Sequence, residues 1–396
     1  MVLGPGIIVM LADTDAGCII TAAQSGTQFG YAMVLPQLLL LPALYVVQEI
    51  TVRLGIITGK GHGELIREQF GVGWGLVSGV TLFLSAIGAL LTEFVGVAGV
   101  GELFGISKWV SIPTVTAFLV ALAFTGSYKR SERNTYALGM AELAFIPAMM
   151  LAHPHAHNLV HGLASFPISN HSYTFLLAAN VGAVIMPWMI FYQQSAIVQR
   201  GLHVSALRRA RQDTAIGSVL TQGIMIVVVV TLAATVGRHN AGAALNNVGQ
   251  IANALSPFIG AQMSKVLVGA SIMGGALVAA LVVSLAGSWG LSEVLGWKHS
   301  LNERLTRENA KFYVTYTLAH VVGAVLVLAS VDLVRLAVDV EVMNAILLPI
   351  VLGMLLTLEA RALPSNYRMR GVHRWAVTTV AMIIMVFGLY TVVSVL

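Results

Sequence analysis

Apolar runs of about 20 residues recur along this chain, and a run of that length is what a helix needs to cross a bilayer. In hydrocarbon every backbone N–H and C=O must be paired inside the structure, so a spanning run of this length is a helix. Of the 396 residues 57% are hydrophobic and 10% charged, against about 25% charged in a soluble domain. The chain therefore reads as an all-α polytopic membrane protein. It forms one transmembrane domain over residues 1–396, with no room for a separate soluble one. The first run begins at Met1 without a basic leader or a small-residue cleavage site, so it reads as a retained helix and not a signal peptide. Cys18 is the only cysteine, which excludes an intrachain disulfide.

Eleven spans are expected: 3–26, 30–56, 73–103, 108–126, 135–152, 173–200, 214–237, 264–289, 311–330, 334–358 and 373–395. With the N-terminus in the cytoplasm, the inner loops hold 18 of the 22 basic residues, from Arg53 and Lys60 to Arg370 and Arg374. Only Lys108, Arg238, Lys265 and Arg335 fall outside. That asymmetry orients a multi-pass protein of the cytoplasmic membrane. The net charge of +5 thus faces a lipid leaflet and implies no nucleic acid. No obligate protein partner is evident.

The first span carries Asp13 and Asp15, followed by Gly17. One charge at the bilayer centre costs at least about 2.5–3.5 kcal/mol, and a glycine weakens a helix by about 1 kcal/mol relative to Ala. A helix interrupted there would offer carboxylates and free carbonyls to a cation; the bland alternative is a kinked helix with its carboxylate at an aqueous end. Half a chain later stands Met186-Pro187-Trp188. Pro187 removes a backbone donor, so this span should break or kink as well. Ten spans then divide into inverted five-helix repeats, 1–152 and 173–358, each opened by a broken helix, with 373–395 as an additional helix.

Other polar residues have simpler readings. The inner loop 57–72 predicts a short interfacial helix on which Glu64 and Arg67 can pair. The outer loop 152–172 holds His153, His155, His157 and His161, and is read as an ordinary polar loop over a metal-collecting one. Glu49 and Glu142 suit helix-to-helix hydrogen bonds, and Glu102 the outer surface. Glu93 suits a proton relay or a helix pair equally, and Asn344 suits the ion's water or helix packing equally. If the first helix persists through Asp13, that carboxylate points away from Asp15, toward the cytoplasmic mouth.

From Asp15 to Phe70 the sequence resembles the Nramp family of divalent-metal transporters. The residues are Asp15-Ala16-Gly17-Cys18, Thr21, Gln24-Ser-Gly26, Gln28-Phe-Gly-Tyr31, Leu54-Gly-Ile-Ile-Thr-Gly-Lys60 and Glu64-Leu-Ile-Arg-Glu-Gln-Phe70. Met186-Pro187-Trp188, Ser195-Ala-Ile-Val-Gln199 and Leu348-Pro349 extend it. The resemblance implies a LeuT-like fold of ten core helices plus an eleventh. It implies Asp15 as the metal-binding carboxylate, Cys18 in place of the family's asparagine, and Met186 as the thioether ligand. Ala183 and Ala16 would offer backbone carbonyls. The metal is cargo, so no cofactor is implied.

Departures from the family pattern are equally plain. Trp188 replaces a histidine linked to proton movement, Gln193 stands near a second, and Leu90 replaces an acid one turn before Glu93. The ninth span lacks an arginine pair; Lys311 stands only at its start. The resemblance therefore implies metal transport without implying proton coupling, as in the family's magnesium-carrying branch. Members keeping the methionine favour manganese and iron.

Weighed as chemistry, a thioether or thiol suits softer metals, while either residue can equally fill an apolar core. The expected function is alternating-access transport of Mn2+, Fe2+ or Mg2+. The competing reading is a LeuT-fold sodium-coupled symporter of a small organic solute, against which the carboxylate of Asp15 speaks. An enzyme is not expected, because no convergent His, Asp or Glu motif or phosphate loop is present.

Overall fold

The computed structural model describes residues 4–124, 140, 143, 145–151, 154, 156–239, 242, 244, 245, 247–298 and 305–395. Its helices of seven residues or more, in chain order, are α1 (Pro5–Asp13), α2 (Ala16–Phe29), α3 (Val34–Thr58), α4 (His62–Leu103) and α5 (Lys108–Ala123). There follow α6 (Phe145–Leu151), α7 (Ala156–Leu163), α8 (His171–Val184), α9 (Pro187–Gln199) and α10 (Leu207–Ala234). The last are α11 (Val248–Ile259), α12 (Ala261–Leu295), α13 (Ala310–Ala329), α14 (Leu333–Ala362) and α15 (Gly371–Val395). No strand occurs among the described residues.

Among the described residues, eight helical stretches have the length and apolarity to cross a bilayer. Ten of the expected eleven reconcile with these stretches once the first span is seen to be cut into α1 and α2. α2 runs on into α3 through a short 3-10 turn, and α5 is a shorter apolar helix of 16 residues. The expected span 135–152 lies mostly outside the described residues, as do Lys129, Arg130, Arg133, Glu142, His153, His155 and Arg304.

α4 packs along α12 and α14, while α1, α2 and α3 all lean on α10. α15 touches mainly α14 and leaves Val372, Trp375 and Val393 bare, as a lipid-facing helix does. Its docking has a local cause. Pro349 inside α14 cannot donate to the carbonyl four residues earlier. That carbonyl, Ala345 O, meets Gly388 of α15 so closely that a Cβ there would lie 2.6 Å away.

The short helix expected in the loop 57–72 is present over His62–Phe70, ended by Gly71 at φ 85° and ψ 176°. Only glycine adopts that conformation without strain. The Glu64–Arg67 pair is not formed. Lys60 pairs with Glu68 instead, and the Arg67 guanidinium lies against Gly296, which caps the C-terminus of α12. A cation gains more at the negative end of a helix than from an exposed pair on its own surface.

One buried ion network ties the neighbouring ends of α3, α10 and α14 together. Arg53 of α3 reaches Glu49 at 2.7 Å, Glu359 of α14 at 3.3 Å and the Tyr367 carbonyl at 2.8 Å. Glu49 also receives Arg211 of α10 at 2.7 Å. Glu49 is therefore a helix-to-helix tie, as expected of it, and Glu102 is exposed. Arg53→Ala strands Glu359 in a buried site, and its expected cost is about 3–5 kcal/mol. Thermal unfolding in detergent measures it, and Glu359→Gln on the same background should recover part.

Candidate functional site

The two sequence breaks come together in the middle of the bundle. α1 ends at Asp13, Thr14 leaves the helical region at φ −80° and ψ 50°, and Asp15 is extended at ψ 179°. Asp15 then serves as the N-cap of α2, with Oδ1 accepting from Cys18 N at 2.7 Å. Acidic side chains are stabilised in this position by the exposed N–H groups and the positive helix end. The other oxygen, Oδ2, is buried with no hydrogen-bond partner.

In the second break Ile185 and Met186 are non-helical, and Pro187 occupies the first turn of α9, where its missing N–H costs nothing. A proline at 187 also leaves no donor for the carbonyl of Ala183, four residues earlier. That oxygen accepts the Cys18 thiol at 3.0 Å, so one hydrogen bond joins the two breaks. The Met186 sulfur accepts the Trp188 indole N–H at 3.1 Å. Asp15, Cys18, Ala183 and Met186 are all buried. Ala16 is the first residue of α2, and its N–H donates to Glu93 Oε2 at 3.3 Å.

Asp13 is not at an aqueous mouth. It is buried at the end of α1, with both oxygens unpartnered, because the helix stops there rather than continuing. Glu93 faces the break from α4. A fourth buried acid, Glu341 of α14, is missing from the residues that the sequence singles out. A Cβ on Gly17 would sit 2.4 Å from its Oε1 and 2.8 Å from Thr92 Cβ, so Glu341 lies close against the first break. The signal for it was an acid within a span, functional by default. Asp13, Glu93 and Glu341 all feel the charge of Asp15, and none of the four forms an ion pair among the described residues.

No group of three or more His, Cys, Asp or Glu side chains among the described residues is drawn together as a ready-made metal cluster. The donors are mixed instead: a carboxylate, two sulfurs and a freed carbonyl.

The remaining candidates have partners of their own. Asn344 bonds neighbouring side chains, accepting from Ser85 of α4 at 2.9 Å and donating to Glu341 at 3.1 Å. Gln193 donates to Thr214 of α10 at 2.8 Å. His320 is held by Tyr316 O at 3.0 Å and Ser284 at 3.2 Å. Lys311 lies over the Trp297 ring. His157 and His161 lie 5.4 Å apart, ring to ring, on α7.

Asp15 lies out of reach of solvent. Toward one end a cavity of about 430 Å³ is lined by Gln24, Gln28, His171, Asp332, Arg335 and Asp339, and does not reach Asp15. Toward the other, α1 is latched to α10. The Asp213 carboxylate accepts Gly4 N at 2.9 Å and Ile7 N at 3.2 Å, and Thr221 bonds Met10 O and Thr14 Oγ1. A cap of this kind is worth about 1 kcal/mol. Asp213→Ala should loosen α1 and speed alkylation of Cys18 by a membrane-permeant maleimide severalfold. An unchanged labelling rate would show that these contacts do not limit access to Cys18.

A family profile described as natural resistance-associated macrophage protein-like matches residues 6–394. A divalent metal cation transporter MntH of Vibrio campbellii is 26% identical over 295 residues, covering 72% of this chain and 69% of the relative. MntH 1 of Pseudomonas aeruginosa is 27% identical over 303 residues, covering 72% and 67%. Among solved structures, a manganese transporter of Eremococcus coleocola superposes with a TM-score of 0.80 at 18% identity, covering 98% of this chain and 85% of that one. MhsT in complex with L-phenylalanine superposes at 0.63 with 12% identity, covering 100% and 99%.

Proposed function

Since the chain belongs to the natural resistance-associated macrophage protein (Nramp) family, with the LeuT-like fold of its structural neighbours, we propose that it carries a divalent metal cation, Mn2+, Fe2+ or Mg2+, by alternating access. It is an integral multi-pass membrane transporter and not an enzyme, and the metal is cargo, not a resident cofactor. The ion lodges between the two breaks, with Asp15 Oδ2, the Ala183 carbonyl, Met186 and Cys18 as ligands and Ala16 at the edge. The observation that carries this is the Cys18–Ala183 bond beside an unpartnered buried carboxylate oxygen. A lone buried charge is costly, and a bound cation offsets that cost.

In the cycle, α1 swings away from α10 to release the ion inward. Residues 1–152 and 173–358 act as the two inverted repeats, with the N-terminus on the cytoplasmic side of the cytoplasmic membrane. Trp188 and Gln193 stand where the family resemblance places histidines. Trp188 donates to Met186, and Gln193 to Thr214. Neither side chain exchanges protons, so the proton path that those histidines would supply is missing here. An unpaired carboxylate oxygen also disfavours an anionic organic substrate at this position.

Uptake of Mn2+ and Mg2+ into proteoliposomes, with a pH dye inside, tests the proposal. The expected result is metal entry without acidification, lost in Asp15→Ala, with bound metal slowing Cys18 alkylation in the wild type. Sodium-driven uptake of an amino acid without any divalent entry would overturn it.

A further inference from the structure

We infer that Glu341 supplies a second anionic oxygen to the transported ion and sets the balance between hard and soft metals; this rests on the transport site proposed above. Glu341 is fully buried on α14, and its two oxygens are treated differently. Oε2 accepts from Asn344 Nδ2 at 3.1 Å, and Asn344 is in turn held by Ser85 of α4 at 2.9 Å. Oε1 has no partner. The carboxylate is thus gripped on one side and left open on the other.

Its position is set by two glycines. At Gly17, two residues after Asp15, a Cβ would stand 2.4 Å from Oε1. At Gly182, one residue before Ala183, a Cβ would stand 1.8 Å from the backbone carbonyl of Glu341 itself. Both interrupted helices therefore press on the same residue of α14, one on its side chain and one on its main chain. Packing alone does not call for an acid here. An unsatisfied buried oxygen is a cost that an apolar residue would avoid.

Two carboxylates neutralise a divalent cation. A hard ion gains most from oxygen charge and a soft one from sulfur. With Asp15 and Glu341 supplying oxygen and Cys18 and Met186 supplying sulfur, the site can hold either kind. Glu341 is the residue that favours the harder. Asn344 and Ser85 position it without touching the ion.

The test uses the purified full-length chain and titrates Mn2+, Mg2+ and Cd2+ by calorimetry. Glu341→Gln keeps the shape and the bond to Asn344 but removes the charge. Its affinity for Mn2+ and Mg2+ should fall about tenfold or more while Cd2+ changes by less than about threefold. Met186→Ala should show the reverse order. Glu341→Asp, which keeps the charge on a shorter arm, should also lower the Mn2+ to Cd2+ affinity ratio, and it serves if the glutamine variant does not fold. An unchanged ratio in whichever variant folds, or equal loss of all three metals, overturns the inference and leaves the site itself standing. Asp15→Ala binding Mn2+ as well as wild type would instead overturn the site.

Discussion

Asp15→Ala is expected to bring Mn2+ uptake down to the protein-free background, and Asp15→Asn nearly as far. The pair separates charge from structure. Asparagine is as good an N-cap as aspartate, so the bond from Cys18 N and the start of α2 survive in Asp15→Asn. What it loses is the buried anion. A hundredfold loss of metal affinity corresponds to about 2.7 kcal/mol, a modest demand for removing a first carboxylate from a buried cation. Calorimetry on both variants, with thermal unfolding to show that each is folded, measures the effect. Wild-type affinity in Asp15→Asn would mean that the cap geometry matters and the charge does not.

Gly182→Ala is expected to abolish transport and to destabilise the fold, although it adds one methyl group. The added Cβ would stand 1.8 Å from Glu341 O and 2.7 Å from Ala345 N, backbone atoms that cannot rotate away. α8 must then move off α14. Overpacking of this kind costs about 1–3 kcal/mol and sometimes more. The shift falls one residue from Ala183, so it also pulls the carbonyl from the Cys18 thiol. Gly353→Ala on α14 is the control, because nothing lies within 4 Å of its added methyl. Equal thermal stability and uptake in the two variants would refute the close-approach argument.

The interruptions themselves were legible in the sequence. Asp13-Thr14-Asp15 amid apolar residues and Met186-Pro187 each break a rule for spanning helices, and the structure breaks the helix at both. The spans were legible because hydrocarbon thickness fixes their length. Glu341 was not, since α14 carries Asp332, Asp339, Glu341 and Glu359. Which of these faces the centre depends on how α14 is rotated against α8 and α2. That rotation is set by two contacts at glycines far away in sequence, Gly17 and Gly182. The fate of Asp13 was hidden for a related reason. Helical periodicity puts it on another face from Asp15, but periodicity ends where the helix does.

The last helix also looks different once its seat on α14 is considered. Ala345 O is deprived of its usual donor by Pro349, in a layer where lipid tails have nothing to offer a carbonyl. Gly388 covers that oxygen with its own backbone. α15 is thus less an appendage than a lid over a polar defect, and it should travel with α14 as one body whenever the bundle changes shape.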